Sequence, residues 1–359
     1  MDSKLKFLCA AVFLIFQLAG CGGGGSEGGV VGSVSIAKLP QLGDTESSQP
    51  AANYNPAEII AGGSSAGGIT VVGLARDLSV ELNYMVNKPD SLEYPETKGL
   101  IVLLSGGYMD TRLTEASISK AFLPRSAHLF AAQGYEVVTL ERPSNYSQYL
   151  LPDSVDPENL DETTNSDETT GDQAIDYAWF DQYLLGDDLQ RDLREIINAA
   201  TGAIQNPANS DDIPVFLIGY GRGAIGAAAN YNLTDPNGPK WSVHGVAFLS
   251  PAVTVLDVGS FLGDISDAAV FSKPVYVVYH NQDACLDSSN SDASNTAIPG
   301  KINDLRQTWI NNGFDFEMVA VQGGFELNES PCHSLTHHGY LGVEYGTASL
   351  VTDWADSNL

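Results

Sequence analysis

The chain has 359 residues, 45 of them acidic and 17 basic, for a formal net charge of −28. That balance excludes nucleic acid as a partner, because phosphates would be repelled, and it opposes electrostatic binding to anionic lipid. The length and a hydrophobic content of 43% suit one large α/β domain with a substantial core, and no second domain is expected.

Residues 1–20 carry Lys4 and Lys6, then an apolar run from Phe7 to Leu18, then small residues before Cys21. The run is too short to cross a bilayer, so this is a signal segment. The tetrad Leu18-Ala19-Gly20-Cys21 resembles the lipobox of bacterial lipoproteins. The resemblance implies that Cys21 is acylated and becomes the first mature residue, with a lipid bilayer of the cell envelope as partner, at the outer membrane or the periplasmic face. Several acyl chains anchor a protein stably where one does not. Residues 21–68 are rich in Gly, Ser, Pro and Ala, too poor in large apolar groups to offset ordering entropy. A flexible tether with a reach on the order of 30 Å is expected there, with the folded domain over 69–359.

Two strands, Ile69 to Val72 and the alternating Leu78 to Val86, are expected to begin the sheet in antiparallel fashion. Gly99 to Leu104 is a continuous apolar strand followed by Ser105-Gly106-Gly107-Tyr108. A glycine pair at that point either lets backbone N–H groups face a ligand, as half of an oxyanion hole, or serves a turn that needs positive φ. A helix over Thr114 to Gln133, closed by Gly134, leads to a strand at Tyr135 to Leu140. Residues 151–188 turn acidic and threonine-rich, a solvated excursion over the carboxyl edge of the sheet with Tyr177, Trp179, Phe180 and Tyr183 as its anchor. Its carboxylates lack EF-hand spacing, which ranks calcium binding below a plain surface loop. Asp187 or Asp188 is expected to cap the next helix, whose apolar positions are Leu189, Leu193, Ile196, Ile197 and Ala200.

The stretch from Ile213 to Asn230 organises the rest. Val215-Phe216-Leu217-Ile218 has no polar alternation and so reads as a strand covered on both faces. It meets the turn Gly219-Tyr220-Gly221-Arg222-Gly223 and continues as a small-residue helix. This is the layout of a nucleophile elbow, G-x-S-x-G, in which flanking glycines let strand and helix approach closely. The central position is Gly221 instead of serine. Further strands are expected at Val243 to Leu249, Pro274 to Tyr279 and Glu317 to Val321, with a helix closing at Trp309 to Asn312 and a last one around Ala348 to Trp354. The alternation argues an α/β fold with a mostly parallel, doubly wound sheet and helices on both faces.

From Gly99 to Trp354 the chain resembles an α/β-hydrolase. The segments His280-Asn281-Gln282-Asp283-Ala284-Cys285 and His337-His338-Gly339-Tyr340 are similar to those of small exported bacterial hydrolases, and the order elbow, acid, histidine is that of the fold. The resemblance implies Asp283 as triad acid, His338 as base, Gly221 at the vacant nucleophile position, and Gly107, Tyr108 and Arg222 about the oxyanion. A carboxylate would hold the histidine in one tautomer, but glycine forms no acyl-enzyme. Three routes stay open: Ser105 or Ser250 as displaced nucleophile, both at strand ends expected to flank the elbow strand, or water activated by His338.

Of four cysteines, Cys9 lies in the signal and Cys21 in the lipobox, leaving Cys285 and Cys332 as a default disulfide in an exported protein. A metal site from His280, Cys285, Cys332, His333 and His337 ranks lower, because oxidised cysteines are not thiolate ligands. No metal and no cofactor are expected. The functional expectation is a lipid-anchored homologue that is a degenerate or very weak ester hydrolase, or that binds a small ester or acyl ligand. The alternatives are an active esterase or amidase with a displaced nucleophile, and a non-catalytic surface scaffold.

Overall fold

A computed structural model describes residues 33–37, 70–76, 80–105, 121–141, 143, 183–209, 212–238, 240–251, 273–285, 300–311, 314–327 and 333–359. These form a nine-stranded sheet in the order β1-β9-β8-β7-β6-β4-β5-β3-β2. The strands are β1 Ser33–Ala37, β2 Thr70–Arg76, β3 Val80–Asn87, β4 Leu100–Leu104, β5 Glu136–Leu140, β6 Ile213–Tyr220, β7 Trp241–Leu249, β8 Val275–His280 and β9 Glu317–Val321. Only β3 runs against its neighbours, pairing antiparallel with both β2 and β5; every other pairing is parallel. The antiparallel start and the parallel body both agree with the sequence reading.

Among the described residues the helices are α1 Phe122–Ala131, α2 Asp187–Ala203, α3 Gly223–Ala229, α4 Gly300–Asn311 and α5 Glu344–Asp356. Side chains of α2, α3 and α4, among them Leu193, Ile225 and Trp309, share one buried cluster with one face of the sheet. Those of α1 and α5, among them Phe130 and Trp354, share another with the opposite face. β6 shows why its sequence lacks alternation: Val215 and Leu217 belong to the first cluster, Phe216, Ile218 and Tyr220 to the second. Each such side chain contributes about 1.5–3 kcal/mol on burial, an upper estimate because unfolded chains already bury some surface.

The path of the chain creates the place for a site. From β4 it moves to β5 on one side, then returns through α2 to β6 on the other side of β4. That reversal is a topological switch point, and open α/β sheets bind ligands outside the carboxyl ends of the strands at such a point. The sheet order, the strand-turn-helix at Gly221 and the chain order of acid and histidine make this the α/β-hydrolase fold.

Two expectations change. Ser33–Ala37, inside the segment read as tether, is a strand parallel to β9; Val34 and Ile36 alternate with serines there, and β9 would otherwise be the exposed edge. The cap of α2 is Gly186 with no side-chain bond, while Asp187 and Asp188 lie inside its first turn, where negative charge still suits the helix dipole. The first helix is described only from Phe122, and the reading from Thr114 to 120 falls outside the described residues. So do residues 151–182 of the acidic excursion, including Tyr177, Trp179 and Phe180. Tyr183 is buried and donates a hydrogen bond to Asp192 at 2.8 Å.

Candidate active site

The elbow is built by its glycines. A methyl at Gly219 would overlap the backbone of Gly223 and Ala224, and one at Gly223 would overlap the carbonyl of Leu104. Strand β6, helix α3 and the end of β4 therefore meet where no side chain fits. Between them Gly221 has φ of 55°, the left-handed region that a residue with a Cβ enters only with strain. Its N–H donates to Leu249 O at 3.0 Å, and Ala224 N–H returns to Gly221 O at 3.3 Å. The turn joins β6 to α3 with glycine at its centre.

Asp283 and His338 come together although 55 residues separate them. His338 Nδ1 lies 2.8 Å from Asp283 Oδ2, and the residues are 6% and 1% exposed. The other carboxylate oxygen, Oδ1, accepts from the amide of Cys285 at 3.0 Å. With Nδ1–H donating to the carboxylate, Nε2 is the basic nitrogen. The imidazole packs against the ring of Tyr220, centroids 5.2 Å apart, which sets the acid-base pair beside the residue that precedes Gly221.

The loop bearing His338 is held by groups with no sequence signature. Residues 337–339 form a 3-10 turn; at Gly339 a methyl would overlap the carbonyl of Ser334, so the loop closes on itself only with glycine. Arg125 of α1, 1% exposed, reaches into it. Its Nη2 donates to Ser334 O and Gly339 O, both at 3.0 Å, and its Nε to Glu344 Oε1 at 3.2 Å. Glu344 Oε2 in turn accepts from Gly342 N–H at 2.8 Å. Tyr340 follows in the left-handed region, φ 56°, and its hydroxyl donates to Val278 O at 2.7 Å while accepting from Ser250 N–H at 2.9 Å. Burial raises the phenol well above its ordinary range, so it stays a donor.

The serines occupy the places expected of them. β4 and β7 flank β6, and Ser105 and Ser250 end those strands. Ser250 is wholly buried with φ of 39°; its N–H is shared between Tyr340 Oη and Val278 O, the latter at 2.9 Å, which makes it a brace beneath the histidine loop. Ser105 is 5% exposed and its hydroxyl has no hydrogen-bond partner among the described residues. Arg222 stands at the amino end of α3. Gly107, Tyr108, Cys21 and Cys332 lie outside the described residues.

Asp283, Cys285 and His338 present ligand-type atoms within 4.8 Å of one another. Their chemistry is already accounted for, since Cys285 is in a disulfide and the other two bind each other, so the set does not fit a metal. His280, from the lower-ranked metal set, is engaged at both nitrogens: Nε2–H donates to Gly323 O at 2.7 Å and Nδ1 accepts from Gln282 N–H at 3.1 Å. Burial, aided by the His337 ring stacked at 4.4 Å, lowers its pKa to about 4. His333 Nδ1 accepts from Leu335 N–H at 3.1 Å, and His337 Nδ1 pairs with Glu326 at 2.9 Å.

No family model matches the chain, and no curated protein does. Solved structures do. A putative dipeptidyl aminopeptidase IV from Bacteroides ovatus is 10% identical with a TM-score of 0.46, over 81% of this chain and 36% of that one, so this chain spans about a third of its length. A dienelactone hydrolase from Anabaena variabilis is 12% identical over 82% of this chain and 99% of that one, TM-score 0.42. An IroE-like serine hydrolase from Shewanella oneidensis is 12% identical over 80% and 81%, TM-score 0.44. Likeness at this level says nothing of the ligand of this chain.

Proposed function

We propose that this chain is an exported α/β-hydrolase homologue, anchored to a cell-envelope membrane through acylated Cys21, whose elbow binds a small ester or acyl ligand and hydrolyses it very weakly or not at all. One observation carries the reading: a buried Asp283–His338 pair at 2.8 Å stands beside an elbow whose central residue, Gly221 at φ 55°, has no hydroxyl. The acid-base half of acyl transfer is assembled and the nucleophile is missing. Loss of the triad serine in a working hydrolase of another fold costs on the order of 10⁶ in turnover, the residue being supplied by binding and the oxyanion hole. Water polarised by His338 Nε2 can supply only that residual rate. Cys332 is the partner we assign to Cys285, a bridge that ties the Asp283 loop to the loop of His338.

A second reading, an active enzyme with a displaced nucleophile, is favoured by one feature: among the described residues the buried hydroxyls of Ser105 and Ser250, at the ends of β4 and β7, have no hydrogen-bond partner. A fluorophosphonate probe separates the two. The proposal expects no stoichiometric labelling of the wild-type protein, together with measurable binding of a short acyl-chain analogue by calorimetry. A labelled Ser105 or Ser250 overturns it in favour of the active enzyme, and a protein that binds no acyl analogue is a scaffold.

A further inference from the structure

The amino edge of the sheet, the end away from Gly221 and His338, holds a half-open cavity of about 520 Å³, within the size range of small-molecule sites. It lies between the last turn of α2, the residues that follow it to Pro207, the start of β6 and the turn before β7. The eight residues of β6 put it about 26 Å from the elbow at roughly 3.3 Å per residue. It is therefore a separate place on the molecule.

Its wall carries charge of both signs. Asp235 Oδ1 accepts from Asn237 N–H at 2.8 Å, which fixes the carboxylate and leaves Oδ2 to bond elsewhere. Lys240 lines the same cavity, and neither it nor Asp235 forms an ion pair among the described residues. α2 has no basic residue in its last turn, and the carbonyls of Thr201 and Gly202, two residues of the wall, accept nothing from outside the helix among the described residues. Such a carbonyl end carries partial negative charge and favours a cation. Asn198 Oδ1 accepts from Trp241 Nε1–H at 2.7 Å, so its amide group is oriented and keeps its own N–H donors for the cavity. Ile204, Pro207 and Ile213 supply the apolar part of the lining.

The geometry points to a second binding site at this edge, for a small zwitterion of the amino-acid type with an apolar side chain. Its ammonium is taken by Asp235 and the carbonyl end of α2, its carboxylate by Lys240 and the Asn198 amide, and its side chain by the apolar lining. A lone cation would leave Lys240 unmatched. A lone anion would meet Asp235, the helix carbonyls and a net charge of −28. Among the described lining residues none is aromatic, which leaves a sugar ring no face to stack on. The site does not depend on the elbow or on its ligand.

The test follows the indole N–H signal of Trp241 in isotope-labelled full-length protein, since that group bonds a residue of the cavity wall. L-Leucine at millimolar concentration should shift it saturably, while isocaproate and isoamylamine, each lacking one of the two charges, should bind about tenfold more weakly or worse. Asp235→Asn retains an acceptor for Asn237 N–H and Lys240→Met retains the aliphatic stem; each should weaken L-leucine by about tenfold or more. Gly202→Trp should abolish binding without disturbing the fold, because a Cβ at Gly202 meets nothing within 4 Å. No saturable shift with L-leucine overturns the proposal, as do single-charge analogues that bind as well as L-leucine, or an affinity unchanged in Asp235→Asn and Lys240→Met. The analogue series on the wild type decides even where a variant folds poorly. None of these measurements reads acyl binding or hydrolysis, so failure here is distinct from failure of the elbow reading.

Discussion

Replacing Arg125 with methionine keeps most of the side-chain length and removes the guanidinium that holds the histidine loop. The change leaves the carbonyls of Ser334 and Gly339 without their common donor, and it leaves Glu344, whose side chain is 11% exposed, without its cation. Breaking a buried ion pair by removing one partner costs about 3–5 kcal/mol, a figure that already contains the hydrogen bonds to the carbonyls. Against a domain stability of roughly 5–15 kcal/mol, that is a large fraction. Urea unfolding followed by tryptophan fluorescence measures it, as a lower midpoint at unchanged slope. Arg125→Lys should fall between wild type and Arg125→Met, because an ammonium lacks the fork that serves two carbonyls and a carboxylate together. Adding Glu344→Gln to Arg125→Met should recover part of the loss by removing the uncompensated charge. A cost below about 1 kcal/mol for Arg125→Met, the level of an exposed pair, would refute the clamp, as would a double variant no more stable than Arg125→Met alone.

Gly223→Ala should destabilise by at least about 3 kcal/mol, the upper range for overpacking, because its methyl meets the carbonyl of Leu104, whereas Gly226→Ala meets only the side-chain ends of Leu184 and Leu189 and should cost less; thermal melts compare them. His280 has its pKa lowered to about 4, so the unfolded chain takes up its proton near 6.5 while the folded one does not; stability should fall as pH drops from about 6.5 toward 4, by on the order of 3 kcal/mol. Urea midpoints at several pH values should show that slope in the wild type and a shallower one in His280→Gln. Tyr340→Phe deletes the hydroxyl that bonds both Val278 O and Ser250 N–H; those two groups keep the direct bond between them, so the change should cost about 0.5–1.5 kcal/mol, read from the same unfolding curves.

Sheet and site were legible to different depths for physical reasons. β6 and β4 declared themselves because a strand covered on both faces must be apolar throughout, and the elbow declared itself because only glycine fits at 219 and 223. Asp283 and His338 were proposed from chain order and local resemblance, and their side chains lie 2.8 Å apart. Arg125 was not found, because its partners lie 209 to 219 residues away in sequence and a buried arginine looks like a surface one until the fold closes over it. Nor was the brace from Tyr340 to Ser250, which depends on two residues with positive φ that no propensity favours. β1 was hidden by its setting: five residues with two apolar positions cannot outweigh a glycine-rich composition until the edge of β9 supplies hydrogen bonds for them.

Gly221→Ser tests whether this elbow lacks only its hydroxyl. Serine at φ 55° should cost about 1–3 kcal/mol of stability and restore a nucleophile beside the Asp283–His338 pair. Hydrolysis of a short activated ester by purified wild-type, Gly221→Ser and Gly221→Ser/His338→Ala proteins is the measurement. A clear gain is expected in the serine variant over wild type, and its loss when His338 is removed. Wild-type turnover already equal to that of the serine variant, or a folded serine variant that stays inert, would contradict it.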